Sequence, residues 1–198
     1  MSHIGITYLH LTGALALTAV SSETPVSIPG PGVTLITAIL AFVLIFLIGY
    51  AKPGPYKYFL FALFSIVIGQ FISPSVKSLE ARGQLREVLA SVAGIFLAMT
   101  VVGFVDNQNF LGFGGYLMAA LIGLIVARLF LIVAKLSDPT SDVKKASTLL
   151  NWLGTGLFAV FVAYDTQLLK ERRYRDYVDA SLGLFLDIIN LFTLQSDS

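Results

Sequence analysis

Two aspartates occupy positions where an acidic side chain is costly. Asp165 follows Tyr164 inside an apolar run, and Asp187 lies between Leu186 and Ile188 inside another. A charged aspartate in the middle of a membrane segment costs at least about 2.5 kcal/mol, so such residues are rare and mark functional sites by default. We therefore begin with these two carboxyl groups.

The spacing of the two aspartates allows them to meet. If the two apolar runs are helices joined by the charged stretch 170–177, they are antiparallel neighbours. At a rise of about 1.5 Å per residue, Asp165 lies about 7 Å from that connection and Asp187 about 14 Å from it. Side-chain length and helix tilt can span the difference. The polar residues that we expect to support the pair are Tyr164, Gln167 and Asn190.

Two carboxylates in a nearly dry interior have a definite chemistry. They cannot both stay ionised cheaply, so the pair is expected to respond to protons as one unit. The same oxygens suit a hard cation such as Ca²⁺. Asp165 and Asp187 are therefore predicted to form a proton sensor and a Ca²⁺ site. The alternative is that each aspartate separately reaches the headgroups or hydrogen-bonds a neighbouring helix.

Arg128 is the third ionisable residue inside an apolar run. It lies about 12 Å from the end of its segment at Leu136. An arginine can extend its charged group over part of that distance towards water. Snorkelling combined with packing is the interpretation that the spacing favours, and a countercharge for the aspartates is the alternative.

The composition predicts the elements that hold these residues. Of the 198 residues 56% are hydrophobic and 13% are charged, whereas a soluble domain has about 25% charged residues. We predict an all-α polytopic membrane protein, with seven hydrophobic helices in one bundle and a single domain over residues 1–198. The net charge of +1 gives no reason to expect a nucleic-acid partner. The absence of cysteine excludes disulfides and thiolate metal sites, and two histidines argue against zinc.

Seven segments approach the length of about 20 apolar residues that a spanning helix needs. They are Ile4–Val20, Val33–Tyr50, Tyr58–Ile72, Val88–Val105, Phe110–Leu136, Thr148–Leu169 and Val178–Leu194. Clusters of proline, glycine and polar residues predict loops at 21–32, 74–87, 106–109 and 137–145. The first segment could instead be a cleaved signal peptide, but no lysine or arginine precedes it. Lysine and arginine residues are equally numerous in the loops on the two sides of the membrane, so their count does not decide how the helices are oriented in it.

Several stretches resemble the transmembrane Bax inhibitor motif family. The most specific is the C-terminal pair, with Tyr-Asp-Thr-Gln at 164–167 and Ala-Ser-Leu-Gly-Leu-Phe-Leu-Asp-Ile-Ile-Asn-Leu-Phe at 180–192. The runs at 95–100 and 112–123 resemble the middle helices of that family, and 7–12 resembles its first helix. The resemblance covers most of the chain.

The resemblance implies a fold of seven helices around a central C-terminal helix. It implies a pH-sensitive calcium leak, with Asp165 and Asp187 as the proton-sensing pair, and in eukaryotic members the suppression of cell death. A basic residue near the start of the third helix often latches onto the pair in this family, and Lys52 or Lys57 occupies that region here. Glu87 corresponds to a glutamate near the start of the fourth helix.

The resemblance also implies where the protein lies and what it meets. The expected location is the endoplasmic reticulum or another internal membrane in a eukaryote and the plasma membrane in a bacterium. The expected partners are membrane lipid, Ca²⁺, protons and other membrane proteins. No cofactor is expected, because Ca²⁺ would be a transported or regulatory ion.

Three functions are compatible with the sequence. The leading hypothesis is a cation leak protein that is not an enzyme. The second is a non-conducting regulator that acts through contacts with other membrane proteins. The third is an intramembrane aspartyl protease, which also pairs a Tyr-Asp with an aspartate on another helix. That protease normally has glycine before the second aspartate and a later Pro-Ala-Leu motif, whereas this chain has Leu186 and no such motif.

Overall fold

The computed structural model describes residues 2–24, 32–105, 109–138, 140 and 142–197. Within these ranges the chain forms seven α-helices, one 3-10 turn and no β-strand. The helices are α1 (His3–Glu23), α2 (Gly32–Tyr50), α3 (Pro55–Ala81), α4 (Leu85–Phe104), α5 (Gly114–Ser137), α6 (Lys144–Lys170) and α7 (Tyr177–Ser196), and the 3-10 turn is Phe110–Phe113. The all-α prediction is confirmed.

Most of these helices can cross a bilayer. Six of the described helices are long and apolar enough to do so, and α2 contributes a shorter apolar stretch, Ile36–Tyr50. Only 6% of the apolar stretch of α5 is buried inside the protein, so Phe130 and its neighbours point outward. Apolar side chains in such number are favourable against lipid and unfavourable against water. The chain is a polytopic membrane protein.

Helix α3 corrects one sequence prediction. The predicted loop 74–87 is wrong over its first half, because α3 continues through Pro74 to Ala81. Proline removes one hydrogen bond from a helix, but helices in membranes tolerate it where neighbouring groups satisfy the backbone. The break comes instead at Gly83, whose φ of 69° suits glycine. The predicted loops 21–32, 106–109 and 137–145 include residues outside the described ranges.

The chain divides into two compact units. The first contains Met1–Leu85 and Leu169–Leu186. In this unit α1 and α2 both pack along α3. The Ser181 hydroxyl of α7 donates to the Thr7 carbonyl of α1 at 2.9 Å, and Phe185 packs edge-on against the rings of Phe61 and Phe64 of α3. The prediction of one domain over 1–198 stays a prediction.

The second unit contains Arg86–Leu168 and Asp187–Ser198. Here α4 approaches α6 closely at Gly103: a Cβ atom placed on Gly103 would lie 2.6 Å from the Ala163 carbonyl oxygen and 2.7 Å from the Cβ of Thr166. Small residues at helix contacts let backbones come together in membranes. This contact fixes the part of α6 that carries Asp165.

We predict that Gly103→Ala destabilises the protein. The added methyl group has no room against the backbone of α6, and overpacking of this kind typically costs about 1–3 kcal/mol. The expected result is a lower midpoint of thermal or denaturant unfolding in detergent, followed by the helical circular dichroism signal.

Gly94 on the same helix provides the matched control. A Cβ atom there meets no atom of the described residues within 4 Å. Because alanine is the better helix former by about 1 kcal/mol, Gly94→Ala should leave the midpoint unchanged or raise it. An equal loss of stability in both variants would show that the close contact at Gly103 is not the cause.

Candidate functional site

The second unit brings Asp165 and Asp187 together. Asp165 lies on α6, five residues before its end at Lys170, and Asp187 lies in the middle of α7. Asp165 is 9% exposed and Asp187 is 3% exposed. The two carboxyl groups are close enough to interact electrostatically. The sequence predicted that the two residues lie on consecutive helices, and in the structure they lie on α6 and α7.

The surroundings of the pair are dry. Of the apolar stretch of α7, 61% is buried, the largest share among the described spans. On α6, Val162, Ala163 and Thr166 are fully buried beside Asp165. The Oδ2 atom of Asp187 is buried and has no hydrogen-bond partner among the described residues. A buried carboxylate oxygen without a partner is unfavourable while it is charged, so a proton or a cation would supply the missing interaction.

Tyr164 and Gln167 hold the start of α5 against α6. The Gln167 side-chain oxygen accepts hydrogen bonds from the Phe110 and Leu111 amides, at 2.7 and 3.2 Å. The Tyr164 hydroxyl lies against Gly114, where an added Cβ atom would be 2.7 Å away. These contacts position the helix that carries Asp165. Half-buried Asn190 lies on α7, three residues after Asp187.

Two other predicted site residues lie elsewhere in the second unit. The Arg128 guanidinium donates to the side-chain oxygen of Asn151, a residue only 2% exposed. Glu87 lies in the first turn of α4 and lines a cavity with Asn151. Neither the countercharge role of Arg128 nor the supporting role of Glu87 is tested by these contacts, and both stay predictions.

Lys57 occupies a charged cluster in the first unit. Its side chain is fully buried, and its ammonium group forms ion pairs with Asp176, at 2.6 Å, and with Asp179. Arg175 also pairs with Asp179, at 3.1 Å, and donates to the Gly49 carbonyl at 2.7 Å. We call Lys57, Arg175, Asp176 and Asp179 the basic–acidic cluster. It connects the start of α3 to the start of α7.

This cluster was not predicted from the sequence, because charged side chains in a connection between helices are usually in contact with water. One feature of the sequence does predict ordered carboxylates here. Asp176 and Asp179 lie at the start of an apolar helix, where carboxylates accept hydrogen bonds from the first backbone amides. The Oδ1 atom of Asp176 accepts from the Val178 and Asp179 amides, at 2.9 and 3.0 Å. Lys52, the other predicted latch residue, lies exposed in the turn before α3.

The cluster shifts the pKa of Asp176. Burial raises this pKa, but the hydrogen bond and charge of Lys57 and the amides of Asp179 and Val178 lower it by more. The net result is a pKa below the ordinary value of 3.8. A group whose pKa is lower in the folded state contributes stability above its unfolded pKa, and this contribution is lost as the pH falls through the folded value.

We predict that Lys57→Met weakens this pH dependence, because only the amides then lower the pKa of Asp176, and that it destabilises the protein at neutral pH. Wild type should lose stability as the pH falls below about 4, where Asp176 takes up a proton. At neutral pH the free energy of unfolding of Lys57→Met should be lower than that of wild type by about 3–5 kcal/mol, which is the usual cost of breaking a buried ion pair. The measurement is the unfolding midpoint in detergent across acidic and neutral pH.

Lys52→Met is the control for loss of one positive charge. Since Lys52 is exposed, this variant should stay within about 0.5 kcal/mol of wild type and keep its acid-dependent slope. If Lys57→Met retained wild-type stability and slope, the cluster would have no structural role.

Comparison with known proteins identifies relatives over most of the chain. The BI1-like protein of Arabidopsis thaliana is 30% identical over 166 residues, which cover 82% of this chain and 62% of that protein. The inner membrane protein YbhL of Escherichia coli K12 is 30% identical over 152 residues, covering 68% of this chain and 59% of YbhL. Bax inhibitor 1 of Schizosaccharomyces pombe is 30% identical over 144 residues, covering 71% and 52%.

The chain thus spans between 52% and 62% of the length of these three relatives. The family model described as "Inhibitor of apoptosis-promoting Bax1" matches residues 1–194, a range that contains both aspartates and the basic–acidic cluster. The seven described α-helices agree in number with those that the resemblance implied. From these matches, this polytopic membrane protein belongs to the Bax inhibitor-1 family.

Proposed function

We propose that the protein is a pH-sensitive leak channel for Ca²⁺ and other cations, with Asp165 and Asp187 as its proton-sensing pair. One observation carries this proposal. Two buried carboxyl groups from different helices interact electrostatically, and one oxygen of Asp187 is buried without a partner among the described residues. Two negative charges buried together are unfavourable, and binding of a proton or a cation would offset that cost.

Protons and cations compete for the same oxygens in this mechanism. When both carboxyl groups are ionised, they present two negative charges in a medium of low dielectric, which attracts a divalent cation that prefers oxygen ligands. Protonation removes one of the two charges and so weakens the attraction for the cation. The flux of cations past the pair then depends on pH through the joint titration of the two groups.

The small number of ligands suits transport. Within the described residues, no group of three or more His, Cys, Asp or Glu side chains is placed to hold a metal ion. Stable Ca²⁺ sites use about six to eight oxygens, so two carboxyl groups would bind the ion weakly. Conduction requires binding that is weak enough to release the ion. Ca²⁺ is therefore cargo in this proposal.

A regulatory role in cell death is the second candidate function. The family description and the name of the Schizosaccharomyces pombe relative both refer to inhibition of Bax. Such a role would act through contacts with other membrane proteins and does not require conduction. The Escherichia coli relative is named as an inner membrane protein. We propose the plasma membrane as the location in a bacterial host and the endoplasmic reticulum or another internal membrane in a eukaryotic host.

We predict that Asp187→Asn abolishes most of the pH-dependent part of Ca²⁺ flux. Asparagine keeps the size of the side chain and removes both its charge and its proton exchange. Asp165→Asn should flatten the pH profile in the same way, because the titration is shared. The measurement is Ca²⁺ entry into proteoliposomes that contain a fluorescent indicator, over a series of pH values.

Asp142→Asn is the matched control. Asp142 is exposed and accepts a hydrogen bond from the Lys144 amide, a role that asparagine can also fill. The dependence of Ca²⁺ flux on pH in Asp142→Asn should match that of wild type. Unchanged profiles in both folded site variants would overturn the proton-sensing pair. A folded wild-type protein that conducts at no pH would overturn the leak and favour the regulatory role.

A further inference from the structure

Two threonines of the second unit have hydroxyl groups that their own helices do not satisfy. A threonine inside a helix commonly donates its hydroxyl to the carbonyl four residues earlier. Thr12, Thr18 and Thr193 do so, at 2.8, 2.9 and 2.8 Å. Thr100 of α4 and Thr166 of α6 do not: their hydroxyl oxygens are buried and have no hydrogen-bond partner among the described residues.

A buried hydroxyl group without a partner is unfavourable, whereas the methyl group of a valine at the same place would not be. Thr166 is completely buried. The atoms of Thr166 nearest to Gly103 are its Cβ and its methyl carbon, so the hydroxyl is directed away from that contact. Both hydroxyl oxygens thus resemble Oδ2 of Asp187, which is also buried and unpaired among the described residues.

Thr100 lies close to Thr166 along the bundle, because α4 and α6 run side by side in the same direction. Near their starts, Val88 of α4 and Trp152 of α6 line the same cavity. Further along, Gly103 of α4 meets Thr166 of α6. Thr100 precedes Gly103 by three residues, so it shares the face of α4 that meets α6. Along the helix axis it lies about one turn from the level of Thr166.

Asp187 lies in the same section of the unit, because α7 runs beside α6 in the opposite direction. A Cβ atom placed on Gly154 of α6 would lie 2.9 Å from Cδ2 of Leu194. Asp187 precedes Leu194 by seven residues, or about 10 Å. This count places Asp187 about 6 Å along the axis from Asp165, in keeping with their electrostatic interaction. The two carboxyl groups and the two hydroxyl groups therefore occupy a section about 8 Å long on three adjacent helices.

Oxygens of this kind complement the carboxyl groups as ligands for a hard cation. Ca²⁺ accepts six to eight oxygens, and neutral ones serve as well as carboxylates. A threonine hydroxyl has two lone pairs and an O–H that can rotate towards a carboxylate. Neutral oxygens replace part of the water around an ion without adding charge, so the ion can still be released. A water molecule could pair with a hydroxyl, but it would leave the two negative charges uncompensated.

We propose that the hydroxyl oxygens of Thr100 and Thr166 are further ligands for the cation that passes Asp165 and Asp187. This inference rests on the proposed leak for its choice of ligand. The carboxyl groups determine the charge of the site and its response to protons, whereas the hydroxyl groups contribute to cation affinity alone. The two contributions can therefore be measured separately.

The first experiment measures Ca²⁺ flux into proteoliposomes with Thr100→Val and Thr166→Val, which remove one hydroxyl group each and keep the shape of the side chain. Each variant should raise the Ca²⁺ concentration for half-maximal flux about tenfold, the effect of losing one interaction with a charged group. The pH dependence should stay that of wild type, because both carboxyl groups remain. Thr166→Ser keeps the oxygen and should restore the wild-type concentration.

The second experiment measures Ca²⁺ binding without conduction, as the rise of the unfolding midpoint of the purified full chain in detergent with added Ca²⁺. Each valine variant should need about tenfold more Ca²⁺ than wild type for the same rise. Without Ca²⁺, both should be at least as stable as wild type, because an unpaired hydroxyl has been removed. Thr193→Val is the matched control, since that hydroxyl already donates to the Ile189 carbonyl, and its response to Ca²⁺ should be that of wild type.

The outcomes separate this proposal from the leak itself. Wild-type Ca²⁺ affinity in both folded valine variants would overturn the ligand role, and so would an equal loss of affinity in Thr193→Val. A wild-type midpoint that Ca²⁺ does not raise would also overturn it. Lower stability of Thr166→Val without Ca²⁺ would show that the hydroxyl has a structural partner, with the same consequence. A wild type that binds Ca²⁺ through Thr166 but conducts at no pH would support the ligand role and overturn the leak.

Discussion

The cost of burying charge where water is scarce governs both charged sites in this protein. In the basic–acidic cluster the charges of Lys57, Asp176 and Asp179 oppose one another at hydrogen-bond distance. Opposite charges with good geometry offset much of their desolvation cost. At Asp165 and Asp187 the two buried side chains have the same sign. The same physical constraint therefore gives a fixed structural contact in one unit and, in the function that we propose, a pair that binds a proton or a cation in the other.

Each kind of site is held by helices suited to it. The cluster joins the starts of α3 and α7, where free amides and a short connection can organise carboxylates, as Asp176 does for α7. Asp187 lies in the middle of α7, where backbone groups are already paired within the helix. Only side chains can then serve Asp187, and on the neighbouring helix α6 the close contact with Gly103 fixes the residues beside Asp165.

Much of this arrangement could be predicted from the sequence, because apolar length alone identifies spanning helices and a charge within one identifies a site. The predicted bounds of the last helix, Val178–Leu194, fall within the observed Tyr177–Ser196. Prediction was wrong at Pro74, since a proline in a membrane helix is tolerated when its surroundings supply hydrogen bonds, and those surroundings are tertiary. The cluster around Lys57 was missed for a related reason. Lys57 is separated from the other three members by more than a hundred positions, and charges near a loop are usually solvated.

Arg128 and Lys57 are both cations in otherwise apolar helices, but the structure gives them different partners, which the sequence alone could not predict. Both are basic residues that the sequence offered as countercharges to the aspartates. Lys57 has two carboxylates as partners, whereas Arg128 has the neutral amide of Asn151, which solvates the guanidinium without cancelling its charge. An uncancelled positive charge makes Asn151 a stronger donor, since polarisation along a hydrogen-bond chain is cooperative. Arg128 thus keeps its charge within an apolar helix and is solvated by a buried amide, whereas the charge of Lys57 is opposed directly by carboxylates.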